Sequence, residues 1–151
     1  MIQRIQTVYL LIATVLSVVM FFFPLEVLFT PSSGSYEFGL LGVSQNGELL
    51  YSTWPLLVLT ILSTILSAGA IFCYKDRMLQ SRLCVLNILL WIGFCIMFFV
   101  YLFINNAKFE ITETAYKLPM IFPILNIIFV FLANKAIHKD EELVRSMDRL
   151  R

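Results

Sequence analysis

Four long apolar stretches dominate the sequence and restrict how the chain can fold. They run from Ile5 to Phe23, Pro55 to Tyr74, Leu83 to Ile104 and Leu118 to Ile137. Each is 19 to 22 residues long, and their one charged residue is Lys135, near the end of the fourth. A helix of that length spans roughly 30 Å, the thickness of a bilayer's hydrocarbon core. We therefore predict an all-α membrane protein, a bundle of four transmembrane helices.

Composition supports a single membrane domain over residues 1–151. Hydrophobic residues make up 60% of the chain, charged residues only 14%, and the mean hydropathy is +0.86. A soluble domain has about a quarter of its residues charged, so this chain lacks the polar surface that water requires. The residues outside the four stretches are too scattered to form a second core.

Charge is distributed unevenly between the two ends of the predicted spans. The loops on one side hold Glu26, Glu37, Glu48, Lys108, Glu110, Glu113 and Lys117. The termini and the short loop on the other side hold nine of the eleven basic residues, namely Arg4, Lys75, Arg77, Arg82, Lys135, Lys139, Arg145, Arg149 and Arg151. Basic residues accumulate on the cytoplasmic side of membrane proteins. We therefore predict that both termini, including a tail over residues 138–151, are cytoplasmic.

The loops on the opposite side contain strand patterns. Asn46 and Gly47 lie between short alternating segments, and both tolerate the positive φ of a type I′ turn, which predicts a β-hairpin. The preceding segment, Thr30–Ser35, has the composition of a turn-rich linker. Residues Lys108–Glu113 alternate polar and apolar side chains, which predicts a third strand. We expect a small extracytoplasmic hairpin or three-stranded antiparallel sheet.

A few polar side chains lie within the predicted spans. Such groups need partners in hydrocarbon, so they favour faces where one helix contacts another. We expect Asn126 to face another helix or another copy of the chain. A transport or binding role for these residues is the alternative. The candidate helix-packing residues are Thr14, Ser17, Ser63, Ser67, Asn87 and Asn126.

The tail is the most patterned polar segment. It has the spacing of a helix with charged pairs three or four residues apart and an apolar face. The pattern fits either a solvated helical end that anchors the topology or a docking strip for a membrane or cytoplasmic protein. The candidate docking residues are Glu141, Leu143, Val144, Arg145, Met147, Asp148, Arg149 and Leu150.

Three segments together resemble a known family. They are Met1–Leu11 at the start, Arg82–Asn87, and Asp140–Arg151, which reads Asp-Glu-x-Leu-Val-Arg-Ser-x-Asp-Arg-Leu-Arg. In these the chain resembles an uncharacterised Bacteroidetes family of small integral membrane proteins that is catalogued as a domain of unknown function. The resemblance covers the whole chain and implies a multi-pass protein of the bacterial inner membrane with four spans. It implies no activity, substrate or catalytic residue.

The sequence also weighs against several classes of function. It has one histidine, no metal-ligand cluster, no glycine-rich phosphate loop and no Ser or Cys next to a base, so we expect neither an enzyme nor a cofactor or metal site. The basic residues of the tail are nearly balanced by acidic ones, which argues against nucleic-acid binding. Ion transport usually requires ionisable groups within the membrane, whereas these spans offer mild polar groups.

Two hypotheses remain. The first is an integral inner-membrane protein without enzymatic activity that serves as a scaffold or accessory subunit of a membrane assembly. Its partners would be the bilayer, a membrane or cytoplasmic protein, and possible further copies of the chain. The alternative is a small oligomeric transporter of apolar or amphipathic molecules.

Overall fold

The computed structural model describes residues 3–30, 34–73, 76–108 and 113–148, and these form a helical layer with a β-sheet at one end. The helices are α1 (Gln3–Val19), α2 (Trp54–Phe72), α3 (Arg77–Lys108) and α4 (Phe122–Asp148). The strands are β1 (Glu26–Thr30), β2 (Gly34–Phe38), β3 (Gly42–Gln45), β4 (Glu48–Ser52) and β5 (Glu113–Tyr116). A short 3-10 turn, Leu118–Ile121, precedes α4.

Three of the four helices are long and apolar enough to cross a membrane. They are α2, the Arg77–Asn105 part of α3, and the continuous segment Leu118–Val144, which joins the 3-10 turn to most of α4. The apolar part of α1, Ile5–Val19, is shorter. The amides of Phe21 and Phe22 bond to carbonyls only three residues earlier, so the helix tightens into a turn before Pro24.

The two helices in the second half of the chain extend beyond the predicted spans. The structure starts α3 at Arg77, six residues before the predicted span. Asp76 immediately precedes it, and its carbonyl accepts a hydrogen bond from the Gln80 amide at 2.9 Å. An acidic residue at this position interacts favourably with the helix dipole. At the other end, α4 continues without interruption into the predicted tail as far as Asp148.

The four helices contact one another in a ring, with α1 against α2 and α4, and α3 against α2 and α4. Small buried side chains at these contacts, including Ala13, Ala70 and Ala133, let the helix backbones approach closely. We call the end of the layer that carries the sheet the sheet end. The opposite end, where α1 begins and α4 ends, is called the terminal end.

The sheet is larger than the sequence predicts. It has five antiparallel strands in the order β4-β3-β2-β1-β5, not two or three. The hairpin at Asn46 and Gly47 is confirmed, since it joins β3 to β4 and both residues have positive φ, at 50° and 88°.

Two other predictions for this region differ from the structure in their bounds. The expected linker Thr30–Ser35 contains the end of β1 and the start of β2, with residues 31–33 outside the described part. A strand from the last loop does join the sheet, but at Glu113–Tyr116, whereas Lys108 of the expected strand Lys108–Glu113 belongs to α3. Residues 109–112 lie outside the described ranges. Consecutive residues of β1 are buried, so this strand lacks the polar alternation by which half-exposed strands are recognised.

One transverse row of residues joins the sheet to the helices. Directly opposed residues of antiparallel strands lie on the same face of a sheet. The row that crosses all five strands consists of Tyr116, Glu26, Phe38, Val43 and Tyr51.

Within this row, Phe38 is fully buried and makes the contact with the helical layer. Its ring stacks on Phe98 of α3 with centroids 5.6 Å apart, and the Tyr101 ring lies 6.3 Å away. The sheet and the sheet end of the helices therefore share one hydrophobic core.

A glycine at the start of β3 provides a test of this arrangement. Gly42 has φ of +156°, and an added Cβ would overlap the Tyr51 carbonyl oxygen and lie 3.1 Å from the Cα of Ser52. Both obstacles are backbone atoms, so relief requires the β3–β4 pair to move. We expect Gly42→Ala to lower the stability by about 2 kcal/mol and the Tm by roughly 5 °C, measured by circular dichroism in detergent. Gly39→Ala is the matched control, since its Cβ would come no closer than 4.0 Å to other atoms. Equal melting of the two variants would contradict the packing described.

Candidate functional site

Three of the candidate helix-packing residues form one buried hydrogen-bond network. The Ser63 hydroxyl of α2 donates to Asn87 Oδ1 of α3, and Asn87 Nδ2 donates to Ser67 Oγ at 2.6 Å. All three residues are buried. Because the amide bonds to hydroxyls one turn apart on α2, the network fixes the register of α2 against α3.

The hydroxyls of α1 are used differently. Thr14 and Ser17 each donate at 2.8 Å to a carbonyl of their own helix, Leu10 and Ala13 respectively. Such bonds satisfy the hydroxyl proton locally, without linking α1 to a neighbour.

Asn126 lies inside the helical layer. It is fully buried, and neither its amide nitrogen nor its oxygen has a hydrogen-bond partner among the described residues. The indole nitrogen of Trp91 is also buried without a hydrogen-bond partner among the described residues. Ser81 of α3 contacts both Asn134 and His138 of α4, so it lies level with Ala136 between them. The two helices are antiparallel and rise equally per residue, so Trp91, ten residues after Ser81, lies level with Asn126, ten residues before Ala136. The two unpartnered groups therefore lie at about the same level, and Asn126 is not on a surface that a second copy could reach.

A buried carboxyl group lies at the sheet end. Glu26 is fully buried on the helix-facing row of the sheet, and neither carboxylate oxygen has a hydrogen-bond partner in the described ranges. Burial raises the pKa of Glu26 from 4.5 to about 7. A carboxyl group in apolar surroundings retains its proton because the protein interior solvates the charged form poorly.

Two polar side chains belong to the same region. The Tyr51 hydroxyl donates to Asn105 Oδ1, while Asn105 Nδ2 lacks a partner among the residues described. Burial raises the pKa of Tyr51, and the charges of Tyr101 and Glu26 add to that rise, so these groups lie within electrostatic range of one another. The Glu26 carboxyl group can therefore bind and release one proton at the edge of the apolar core.

A second polar cluster lies at the terminal end, between α3 and α4. The Ser81 hydroxyl donates to Asn134 Oδ1 at 2.7 Å, and Ser81 Oγ lies 3.1 Å from His138 Nε2. His138 Nδ1 is 4.0 Å from a carboxylate oxygen of Glu141. The structure therefore contradicts the expectation that no serine lies next to a base, because packing joins positions 57 residues apart.

The order Ser81, His138, Glu141 resembles the relay of a serine hydrolase, but the Ser81 hydroxyl donates to a different partner. In a hydrolase the serine donates its proton to the imidazole. Here the single hydroxyl proton of Ser81 is directed to Asn134, so the nearby His138 nitrogen acts as a donor to Ser81 Oγ. The cluster lies beside a cavity of about 460 Å³. The cavity is lined by Met78, Ser81, Arg82, His138, Glu141 and Glu142.

Further contacts hold the terminal end together. Arg77 forms a salt bridge with Asp140 at 3.3 Å and also donates to its carbonyl oxygen. Gln80 Nε2 donates to the Ala70 carbonyl and Gln6 Nε2 to the Ala136 carbonyl, both at 3.0 Å. These bonds connect all four helices. Within the described residues no group of three His, Cys, Asp or Glu side chains is placed to hold a metal ion.

The structure describes only part of the predicted docking strip. Glu141 is half-buried against His138, while Leu143 and Val144 are exposed by 43% and 41%. The other candidates have side chains outside the described part, and they are Arg145, Met147, Asp148, Arg149 and Leu150.

Sequence reasoning missed the buried carboxyl group of Glu26 and the contact between Ser81 and His138. Glu26 was assigned to a loop, although it stands alone among Leu25, Val27, Leu28 and Phe29. A single acidic residue in an apolar strand was the available signal. For Ser81 and His138 the sequence offered no signal, since their proximity depends on how α3 packs against α4.

The fold and these sites define a class: a helical protein with three helices apolar enough to span a membrane, capped by a five-stranded antiparallel sheet. The sequence profile of the domain of unknown function DUF4293 matches residues 2–150. The chain therefore belongs to the DUF4293 family. No curated protein sequence matches it at a significant level.

The buried carboxyl group predicts an unusual pH dependence. Because the folded pKa of Glu26 is about 7 and the unfolded value about 4.5, the unfolded chain loses its proton first as pH rises. The contribution of Glu26 to the free energy of unfolding therefore falls by about 3 kcal/mol between pH 4.5 and 7 and is constant above that range. The glutamine in Glu26→Gln cannot ionise. As the pH rises from 4.5 to 7, the Tm of this variant should therefore increase relative to the Tm of the native chain.

Glu37→Gln is the matched control, an exposed glutamate on the neighbouring strand. Melting curves in one detergent at pH 4.5, 6, 7 and 8 provide the comparison. If the Tm difference between Glu26→Gln and the native chain stayed constant over this range, Glu26 would not be a buried proton-binding group.

Proposed function

We propose that the chain is a four-span protein of the bacterial inner membrane, with both termini in the cytoplasm. It would act without catalysis, as a scaffold or accessory subunit of a membrane assembly. The observation that carries the proposal is the inverted distribution of polarity in the helical layer. Exposed positions are large and apolar, including Val8, Leu11, Val15, Ile61, Leu62, Ile65, Leu89, Ile96, Phe99, Ile124, Ile128 and Phe131.

The inward-facing positions of the same helices include most of the polar residues. Ser17, Thr60, Ser63, Ser67, Asn87 and Asn126 are all buried. A water-soluble helical protein has the opposite arrangement, with polar residues outside. Lipid tails are the solvent in which an apolar exterior and a mildly polar interior are stable.

The shorter helix α1 is the proposed fourth span. It packs between α2 and α4 along the layer, and Gln6 bonds to α4 at the terminal end. Its 17 residues extend about 25 Å, and the exposed aromatic turn Phe21–Phe23 continues toward the sheet. This length fits a bilayer when aromatic side chains occupy the interface.

The interior fits a static role better than the transporter alternative. The rings of Trp91, Phe94 and Phe98 are buried and in contact with one another along α3, and Phe38 of the sheet continues the series. The side chains occupy the space that a substrate route would need.

The proposed partner surface is the exposed end of α4. Leu143 and Val144 lie on it beside Glu141, beyond the Arg77–Asp140 salt bridge that ends the packed layer. An apolar strip flanked by charges is the form of helix that a membrane or cytoplasmic protein binds in a groove.

Cysteine labelling tests the topology. A membrane-impermeant maleimide applied to intact cells should modify Ser35→Cys in β2 and leave Ser146→Cys in α4 unmodified until the membrane is permeabilised. Native Cys73, Cys84 and Cys95 provide the background signal in the unsubstituted chain. Labelling of Ser146→Cys in intact cells would refute a cytoplasmic terminal end.

Site-specific crosslinking tests the docking role of α4. A photoreactive amino acid at Leu143 should give a discrete adduct with a partner in native membranes, because the strip is in contact there. The same residue at Leu49, an exposed leucine at the sheet end, is the control and should not give that adduct. An adduct of twice the 17.4 kDa chain would identify a second copy as the partner. No adduct at Leu143 would exclude the strip as the docking surface.

A further inference from the structure

The cavity at the terminal end lies where charged residues meet the apolar part of the helices. Arg82 is the last charged residue of α3 before the uncharged stretch that begins at Leu83. On α4 the corresponding boundary falls between Lys135 and His138. If the helices span the inner membrane as proposed, the cavity opens at the level of the inner-leaflet headgroups.

Charges of both signs line this cavity, and its guanidinium lacks a carboxylate partner among the described residues. The guanidinium of Arg82 contacts the Met78 sulfur at 3.7 Å, and no carboxylate of the described residues lies within ion-pair distance of it. Glu142 also lines the cavity and is exposed. By contrast, the nearby Arg77 is paired with Asp140. The cavity therefore retains a free cation and an acidic wall, and a ligand that carries both charges would complement it.

The Arg82 guanidinium supplies the directed contacts on the cationic side. His138 borders the mouth of the cavity with a side chain that is 58% exposed, and its ring bridges Ser81 and Glu141. Guanidinium N–H groups are good donors to phosphate oxygens. The volume of about 460 Å³ is within the usual range for small-ligand sites, about 300 to 1,000 Å³.

The surface above Arg82 is suited to acyl chains. Val85, Leu86 and Leu89 are exposed on α3 and lie three, four and seven residues beyond Arg82, on the same side of the helix. A lipid whose headgroup occupied the cavity would have its tails along this apolar face. A soluble phosphate compound would make no use of it.

We propose that this cavity binds the headgroup of a zwitterionic, amine-bearing phospholipid of the inner leaflet, such as phosphatidylethanolamine. The phosphate lies against Arg82, and the ammonium lies against Glu142. The inference rests on the proposed membrane placement of α3 and α4. It assigns the protein a specific lipid partner in addition to its role in an assembly.

The test is a lipid titration of the purified full chain by native mass spectrometry. Phosphatidylethanolamine and phosphatidylglycerol with identical acyl chains are compared, and the native chain should prefer the former. Arg82→Gln should weaken phosphatidylethanolamine binding about tenfold, the usual effect of losing a charged hydrogen bond. Lys139→Gln is the matched control, an exposed residue on α4 outside the cavity with the same loss of charge. Equal effects of the two variants would overturn the proposal.

A second variant separates binding from simple loss of structure. In Glu142→Gln the ammonium partner is gone and the cation remains, so the preference should reverse toward phosphatidylglycerol. An unfolded variant would not gain affinity for a lipid. An unchanged preference for phosphatidylethanolamine would refute the ammonium site.

Two further measurements test whether the ligand is a lipid or a soluble phosphate compound, and whether the cavity lies in the inner leaflet. Excess phosphoethanolamine or inorganic phosphate should displace the lipid only weakly, and complete displacement would assign the cavity to a soluble phosphate compound. External labelling of Ser146→Cys, together with lipid binding that depends on Arg82, would retain the headgroup site but refute the inner leaflet. Correct topology without lipid preference would refute the headgroup site alone.

Discussion

The stacking of Phe38 on Phe98 connects the two layers of the protein, and much of the structure depends on it. It closes the sheet end of the helices with a ring of α3 and brings the neighbouring row position, Glu26, into the apolar core. An aromatic contact of this kind contributes about 1 kcal/mol beyond the area that it buries. Glu26 is buried despite the energy cost, because strand pairing places it in the same row as Phe38.

Polar groups in this protein are concentrated at three levels along the helices. Glu26, Tyr51 and Asn105 lie at the sheet end, the Asn87 network and Asn126 lie within the layer, and the Ser81–His138 cluster lies at the terminal end. Between them the interior is aromatic or aliphatic. This separation explains why the middle of the layer suits helix packing, whereas the two ends present groups that can bind a proton or a charged headgroup.

The length of an apolar run needs no tertiary information, so the helices were predictable. The Asn46–Gly47 hairpin was predictable for a similar reason, since its turn depends on the φ angles of two adjacent residues. Prediction failed at β1 and β5. The first is buried on consecutive positions and carries a lone acidic residue, and the second has four residues, too few to show a period. The end of α1 was also misplaced, because Phe21–Phe23 are apolar in a turn as they would be in a helix.

The sequence by itself determined the apolar length of the helices and the asymmetry of charge between their ends, because both depend only on residue type and position along the chain. The tertiary structure decided which polar residues meet. Ser81 reaches His138, and Tyr51 reaches Asn105, only because packing joins positions more than 50 residues apart. The same packing left Arg82 without a carboxylate among the described residues while giving one to Arg77. The local sequence pattern cannot predict such pairings, since each depends on the relative position of two helices or of a helix and a strand.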